Sequence, residues 1–390
     1  MHLRRFCTFN SDSMKRTPSP RWLIGTVLSG TCFYIFLFMF IVDRPLTTNE
    51  IGAYMQYKAN YLASIRDESK IAIFAGSNGR FSHRCETITA QTGVACANLS
   101  IAVGYDFTWQ MSRYWPYLKR GDVLYMPLEY WAPPAGRVKI NGEAPYIVRH
   151  DHAALAQYSL TRMVSALFYF DIRYLFSGIG EMLLQKSGAQ RRTSLRSLTV
   201  QGDERGATTE KSEQYSAFIQ GLPHPSVSLE AYTDRAFAEA VDPIIETARA
   251  KGIVVVGGLP TAFDDAQIPT PVVMWLQTYF ELRGACFLVL PNLSKYPRSA
   301  FYDTDSHLQE SAQIAHSARL GPRLAAIERS TRCSDTVSDA DSKSHTHKSP
   351  LRLTDTHATS GRRRRIGAWR PCCMNSRRAS CPGPNLFVPG

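Results

Sequence analysis

The sequence has no cysteine or histidine cluster with metal-ligand spacing, little acidic charge and only one long hydrophobic run. Its nine cysteines are scattered, which argues against a zinc or redox motif, so we expect no metal and no cofactor. There are 33 acidic residues against 45 lysines and arginines, but most of the net charge of +12 lies near the ends of the chain. Residues 1–21 carry +4 and residues 331–390 carry +7, which leaves about +1 for the body. A nucleic-acid-binding protein needs a basic folded surface, so this class of partner is excluded.

The single long hydrophobic run extends from Trp22 to Val42, 21 residues without a charge. At about 1.5 Å per residue, a helix of this length spans the hydrocarbon core of a bilayer. Five basic residues precede it. Basic residues favour the cytoplasmic side, so we expect residues 1–21 in the cytoplasm and the residues after the helix on the exported side. A cleaved signal peptide is the alternative, although its apolar region is usually shorter and no small-residue cleavage site follows Val42. We therefore predict one uncleaved transmembrane helix, 22–42, in a bacterial inner membrane, with the main domain in the periplasm.

The segments around the body have distinct compositions. Residues 43–65 carry an apolar stripe at helical spacing, which predicts a stalk helix. The interval 131–230 predicts a helical insertion, in which charged residues between Tyr158 and Leu184 argue against a second span. Three interpretations of this insertion stay open: a cap over the active site, a surface lying against the membrane, or plain core helices. Within it, a polar segment from Arg191 to Gln214 predicts a mobile loop.

Strand and helix signals alternate between residues 66 and 330, which is typical of an α/β domain with a mostly parallel sheet. Five apolar runs predict its strands: 71–75, 94–98, 123–128, 253–256 and 286–290. From 331 to 390 the chain has a four-arginine run and almost no apolar periodicity. That composition is typical of a disordered basic tail, and also of the product of a frame change at the end of a gene.

Three successive predicted strands end in polar residues. Ser77 follows the first strand between Gly76 and Gly79, Asn98 and Ser100 follow the second, and Glu129 follows the third. The carboxyl ends of parallel strands form the crevice where ligands bind, so a serine there is positioned as a nucleophile. The alternative is an ordinary strand-to-helix turn in which Ser77 or Asn78 caps the helix.

A second segment, residues 301–308, contains Asp303, Asp305 and His307 and lies between the last predicted strand and the last predicted helix. A serine hydroxyl needs an imidazole to accept its proton and a carboxylate to orient that imidazole. The chain supplies both at the far end of the same domain.

With these two segments, the chain resembles the SGNH/GDSL hydrolase superfamily, which carries its serine after the first strand and an Asp/His pair before its last helix. The resemblance covers residues 66–328 except the insertion. It implies a flavodoxin-like three-layer α/β sandwich, with Ser77 as the nucleophile and His307 as the general base.

The resemblance also implies oxyanion donors after the second and third strands. The backbone N–H around Ser100 would take the first role, with the Ser77 N–H as its companion. The second role belongs to an asparagine in the superfamily, but Glu129 stands at that position, and Asn98 or Asn78 would have to substitute.

The acidic partner of the histidine departs from the superfamily pattern as well. The superfamily places its aspartate three residues before the histidine, where this chain has Thr304. The two-residue spacing of Asp305 resembles proteins that O-acetylate exported polysaccharides. We therefore expect Asp305 to orient the histidine, with Asp303 as the second choice.

The function implied is acyl-ester chemistry on cell-envelope or exported polysaccharide, by an esterase or an O-acyltransferase that forms an acyl-enzyme. Its substrates would be carbohydrate or acyl esters. The alternative is a non-catalytic envelope binding or assembly protein that partners a multi-span membrane acyltransferase. Export would let Cys85 and Cys96 form a disulfide across a short loop; buried free thiols are the other outcome.

Overall fold

The computed structural model describes residues 19–42, 44, 50–102, 105–129, 144–187, 194–223, 227–233 and 235–330. Most of the basic N-terminal segment, the start of the predicted insertion and the whole predicted tail from 331 to 390 lie outside the described residues.

Two helices precede the sheet. Helix α1, Pro20–Ile41, begins after Ser19 with a proline in its first turn, where a missing N–H costs no hydrogen bond. It is long and apolar enough to cross a membrane, and few of its residues are buried by the rest of the chain. Helix α2, Glu50–Ser64, packs its apolar stripe onto the body, because Ile51, Met55 and Leu62 are buried.

The centre of the body is a five-stranded sheet in which every neighbouring pair is parallel. The strands of the chain are β1 Lys70–Ile73, β2 Ala95–Asn98, β3 Val123–Pro127, β4 Val254–Gly258, β5 Ala262–Phe263, β6 Cys286–Leu288 and β7 Lys295–Tyr296. The order in the main sheet is β2-β1-β3-β4-β6, and β5 and β7 form a separate small parallel pair. The predicted α/β class and all five predicted strands are confirmed. The small pair was not expected, because a two-residue strand leaves no periodic signal.

Helices cover both faces of this sheet. The helices that follow α2 in the described part of the chain, not all of which touch the sheet, are α3 Ser77–Ser82, α4 Cys85–Thr92, α5 Phe107–Ser112, α6 Ala144–His150, α7 His152–Leu155, α8 Leu160–Leu167, α9 Ile172–Lys186, α10 Thr209–Gly221, α11 Glu230–Thr233, α12 Arg235–Ala250, α13 Thr270–Glu281 and α14 Glu310–Ser330. Short 3₁₀ turns lie at Trp115–Tyr117, Ser194–Ser197 and Arg298–Ala300.

The alternation of side chains along the strands separates two cores. Ala72 and Phe74 face a cluster built with α2, α5, α12 and α13. Ile71 and Ile73 face the opposite cluster, built with α4 and α14. Because successive strand residues point to opposite faces, a strand buried on both sides reads as a continuous apolar run, as β1 does.

The segment between β3 and α12 contains helices α6 to α11. The prediction of a mobile loop over Arg191–Gln214 is wrong for residues 194–214. There Leu198, Thr199 and Asp203 are buried and α10 begins at Thr209. The polar composition misled the prediction, because Asp203 and its neighbours are satisfied by buried partners and not by water.

Cys85, the first residue of α4, forms a disulfide with Cys96 in β2, with 5.1 Å between their Cα atoms. Of the two outcomes left open by the sequence, the structure has the paired one. The bond joins a helix to the edge strand that carries Asn98 at its end.

Candidate active site

Ser77 lies at the beginning of α3, immediately beyond the end of β1. Gly76 is the N-cap residue of this helix and Ser77 is its first residue, half-buried at the carboxyl edge of the sheet. Strand β3 is paired directly with β1, so the residues that follow β3 lie beside this turn. In a sheet of this order, the crevice between the first and third strands is the place where ligands bind.

His307 and Asp303 form the nucleus of the site. The Nδ1 atom of His307 lies 2.7 Å from Oδ1 of Asp303. A carboxylate only accepts, so Nδ1 carries a proton, and in the neutral ring Nε2 keeps a lone pair. Asp305, the carboxylate favoured from the sequence, is exposed and does not make this bond. The second choice, Asp303, is the carboxylate that makes it.

The histidine ring is held against the serine helix. His307 stacks on Phe81, with the ring centroids 4.3 Å apart and the planes inclined by 13°. Ser77 and Phe81 are four residues apart on α3, and residues at this spacing share a helix face. His307 therefore lies on the face of α3 that carries Ser77. The His307 residue is only 8% exposed.

Hydroxyl groups from two other elements fix the histidine loop. The carbonyl oxygen of Ser306 lies 2.7 Å from Oγ of Ser82 and 2.9 Å from Oγ1 of Thr261. The Thr261 hydroxyl also lies 3.1 Å from Oδ1 of Asn78. Thr261 follows β4, and the sequence analysis missed it. The rule that drew attention to polar residues after the first three strands would have found it if applied to the fourth.

Glu129 closes the other side of the serine turn. Its carboxylate accepts hydrogen bonds of 3.3 Å from the backbone N–H of Gly76 and from that of Asn78, one on each side of Ser77. The residue is 3% exposed, and this burial raises the pKa of the Glu129 carboxyl. The two backbone N–H groups and the nearby His307 act in the opposite direction and lower that pKa.

Asn98 and Ser100 are engaged in holding backbone segments together. The Asn98 amide donates 2.9 Å bonds to the Gly79 carbonyl and to Asp203, while its oxygen accepts the backbone N–H of Ser100. The Ser100 hydroxyl accepts the N–H of Ala75 at 2.9 Å. The N–H groups expected to bind an oxyanion here are therefore bound within the protein.

Asn78 differs from these two residues. Its side chain is fully buried, and its Nδ2 atom has no hydrogen-bond partner among the described residues. Because a buried amide without a partner is costly, it is a ready donor for a bound group that reaches it. Of the side chains proposed from the sequence as donors, Asn78 is the one that the described residues leave with an unused N–H.

A buried polar layer that the sequence analysis missed supports the serine helix. Lys58 of α2 donates bonds of 2.8 Å and 2.6 Å to the carbonyls of Asn98 and Gly202. Burial, together with the charge of Arg80, lowers the pKa of Lys58 to about 7. Asp203 accepts the N–H of Cys85 at 2.7 Å. These partners are separated by 40 to 144 positions along the chain, so no local sequence signal joins them.

A close approach explains one glycine of the turn. A Cβ atom at Gly79 would lie 2.2 Å from Oγ of Ser100, well inside van der Waals contact. The missing side chain lets α3 lie directly on the loop that follows β2. This brings the serine turn and the Asn98 network together.

Within the described part of the chain, no group of three or more His, Cys, Asp or Glu side chains is arranged to hold a metal ion. The acid–base groups that the structure brings together are Ser77, His307, Asp303 and Glu129. No family model, curated protein or solved structure matches this chain.

Proposed function

We propose that the protein is a membrane-anchored serine esterase or O-acyltransferase of SGNH type, which acts through an acyl-enzyme on cell-envelope or exported polysaccharide. The observation that carries the proposal is the 2.7 Å His307–Asp303 pair, stacked on the helix that begins with Ser77. The proposed nucleophile, base and orienting carboxylate would then share one crevice, as acyl transfer requires.

In the first half of the reaction, Oγ of Ser77 attacks the ester carbonyl carbon and Nε2 of His307 takes the hydroxyl proton. Asp303 holds the imidazole in the required tautomer and stabilises the imidazolium. The tetrahedral intermediate then collapses, its carbon–oxygen bond to the alcohol breaks, and His307 returns the proton to the departing alkoxide.

In the second half, the acyl group on Ser77 is attacked by an oxygen nucleophile that His307 deprotonates. The bond between the acyl carbon and Oγ of Ser77 then breaks, and His307 returns the proton to Oγ. Water gives a free acid and makes the protein an esterase. A sugar hydroxyl gives a new ester and makes it an O-acyltransferase. A membrane anchor favours the second outcome, because acyl donor and polymer would both reach the enzyme at the membrane.

Oxyanion stabilisation would come from the Ser77 N–H. The unused Nδ2–H of Asn78 is buried, so the turn would have to move for it to join. Glu129 weakens this site when it is ionised, because its carboxylate lies against the same turn. Burial raises the pKa of the Glu129 carboxyl, and in its neutral form that carboxyl would not repel the oxyanion.

Glu129 also favours a second candidate function. A carboxylate that already occupies the N–H groups on both sides of Ser77 suits a protein that keeps the fold without the reaction. The protein would then be an envelope binding or assembly protein that partners a multi-span membrane acyltransferase. Co-purification of such a protein would be its signature.

Covalent labelling separates the two functions. The full chain in membranes is treated with a fluorophosphonate probe, and p-nitrophenyl acetate turnover is measured in parallel. We expect labelling of the wild type, loss of labelling in Ser77→Ala and His307→Ala, and normal labelling in Ser64→Ala, an exposed serine at the end of α2. No labelling of a folded wild type would overturn the catalytic proposal and support the second function.

A further inference from the structure

We propose that α8 and α9 form a second membrane contact, a helical pair that enters the acyl-chain region of the bilayer beside the C-terminal end of α1. The partner is the lipid itself. The inference rests on α1 spanning the membrane, as proposed above, and is independent of any catalysis at Ser77.

The pair is packed onto α1 and not onto the sheet. Leu37, Phe38 and Ile41 of α1 are buried in a cluster that also contains Leu175 of α9. Phe38 lies 6.0 Å from Phe170 between ring centroids. The contacts lie in the last two turns of the apolar helix, so α8 and α9 lie at the depth of those turns.

Further contacts extend over the same part of α1. The ring of Tyr34 stacks on that of Phe168 at 5.0 Å, and its hydroxyl donates a hydrogen bond to the Phe170 carbonyl. From Tyr34 to Val42 a helix rises by about 12 Å. The pair thus reaches well below the headgroups, and the tyrosine hydroxyl is satisfied by protein at that depth, as a lipid environment demands.

Both helices carry a stripe of large apolar side chains that the described part of the chain leaves at least 42% exposed. The apolar residues of the first stripe are four positions apart, and those of the second are four and then seven positions apart. At these spacings the members of each stripe lie on one helix face. The exposed members are Leu160, Val164 and Phe168 in the first stripe and Ile172, Phe176 and Leu183 in the second.

The part of α1 that contacts the pair has exposed apolar side chains of its own. Phe33, Phe36 and Phe40 of α1 are exposed as well, and α1 is the part of the chain suited to face lipid. A soluble protein rarely leaves many large apolar side chains bare on helices that pack together. Because the pair packs on the last turns of a helix suited to span a membrane, acyl chains are the occupant that covers the exposed residues of both.

The lengths and charges of the pair fit a helix that enters the membrane without crossing it. Eight residues in α8 and fifteen in α9 rise by about 12 Å and 22 Å, less than the roughly 30 Å of a hydrocarbon core. Arg162 at the beginning of α8 lies over the Tyr158 ring, 4.0 Å from its centroid, and Arg173 is exposed at the beginning of α9. Long basic side chains at helix ends can extend to lipid phosphates.

The contact would fix the orientation of the body relative to the membrane. A domain held by a single anchor and a linker is free to rotate. A second contact with the bilayer, through α8 and α9, restricts that rotation. The insertion between β3 and α12 would thereby set the orientation of the strand ends that carry the site.

Photo-crosslinking tests the proposal. A benzophenone amino acid is placed at Val164, Phe176 or Leu183 of the full chain, reconstituted in phosphatidylethanolamine–phosphatidylglycerol vesicles with an alkyne-tagged phospholipid. The control position is Leu282, which is 79% exposed but follows α13, a helix in contact with β4 and β6. We expect lipid adducts at the three positions and none at Leu282.

A paired substitution sharpens the result. With the crosslinker at Val164, Leu183→Asp should reduce the lipid adduct severalfold because an ionised side chain on the same surface opposes insertion, whereas Leu282→Asp should not. Absence of lipid adducts at all three positions in vesicles would overturn the proposal. In native membranes, adducts to a protein in place of lipid would overturn it in favour of a partner chain. Neither outcome depends on serine labelling, so the proposed function is tested separately.

Discussion

At the scale of single residues, the charge of one carboxylate controls how well the serine turn can stabilise an oxyanion. Glu129 binds the N–H groups of Gly76 and Asn78, the same turn that a tetrahedral intermediate at Ser77 would approach. Two unit charges about 6 Å apart at an effective dielectric of about 20 repel by roughly 3 kcal/mol. The repulsion is absent when the carboxyl is neutral.

We expect Glu129→Gln to increase the rate at which a fluorophosphonate labels Ser77 at pH 8, by about tenfold or more, because the amide cannot carry the opposing charge. Stopped-time labelling of the full chain in membranes measures this rate. Glu68→Gln, at an exposed position before β1, should leave it unchanged. A slower Gln variant with intact circular dichroism would show that the carboxylate assists the reaction.

The two aspartates near His307 give a matched pair of substitutions. Asp303→Asn removes the carboxylate that lies 2.7 Å from Nδ1, so the wrong tautomer becomes accessible and turnover of p-nitrophenyl acetate should fall by roughly a hundredfold or more. Asp305→Asn changes an exposed side chain and should keep turnover within about threefold. The reverse ranking would restore Asp305 as the orienting carboxylate.

At the scale of elements, α3 is joined to α14 by two fully buried histidines. His83 Nδ1 donates to the Gly79 carbonyl at 3.1 Å, which leaves its Nε2 as an acceptor. His316 Nε2 lies 3.3 Å from that atom and donates to it, while His316 Nδ1 accepts from the Tyr296 hydroxyl at 2.8 Å. Every donor and acceptor in this series of hydrogen bonds, from the Gly79 carbonyl to the Tyr296 hydroxyl, is satisfied only if both rings are neutral. Burial lowers the pKa of His83 to about 4 and that of His316 well below its usual value.

These histidines predict acid sensitivity of folding. Above about pH 6.5 both histidines are neutral in the folded and in the unfolded chain. Below that pH the unfolded chain binds protons that the folded chain does not bind. The free energy of unfolding should therefore fall as pH drops from about 6.5 towards 4, by up to about 1.4 kcal/mol per pH unit for each histidine. Denaturant titrations of the full chain in detergent between pH 7.5 and 5 measure the slope.

A matched pair of variants isolates the contribution of the buried network. His316→Gln should make the dependence on pH shallower, while His152→Gln, at an exposed position on α7, should keep it. Equal slopes in all three proteins would mean that the acid sensitivity comes from other groups.

At the scale of the whole molecule, the disulfide and the apolar helix both concern where the body lies relative to a membrane. Helix α1 is suited to a membrane, and the Cys85–Cys96 bond needs an oxidising compartment to persist. The disulfide supports the proposal that the body lies on the exported side.

The disulfide closes a short loop, so its removal has a limited and predictable cost. Cys85 and Cys96 are 11 residues apart, and a loop of this size contributes about 2–3 kcal/mol through restriction of the unfolded chain. The double variant Cys85→Ala, Cys96→Ala should unfold at correspondingly lower denaturant concentration. Alkylation followed by mass spectrometry should find both thiols protected in the unreduced wild type; free thiols there would contradict the exported arrangement.

Local pattern in the sequence was enough to determine the five strands, the apolar helix at the start and the serine at the first strand end. Strand runs, turn glycines and a long uncharged segment are properties of adjacent residues, and they keep their meaning in any tertiary context. For the same reason, the segment with the histidine and its two aspartates could be recognised.

Only the tertiary structure decided which groups meet. It pairs His307 with Asp303, four positions earlier in the sequence, and brings Glu129 onto the serine turn. It also gives Asn98 and Ser100 hydrogen-bond partners within the protein. It also buries a segment that the sequence presents as a polar loop. These outcomes depend on the direction of individual side chains and on contacts between residues distant along the chain, and a buried polar group takes whichever partner the packing brings within hydrogen-bond distance.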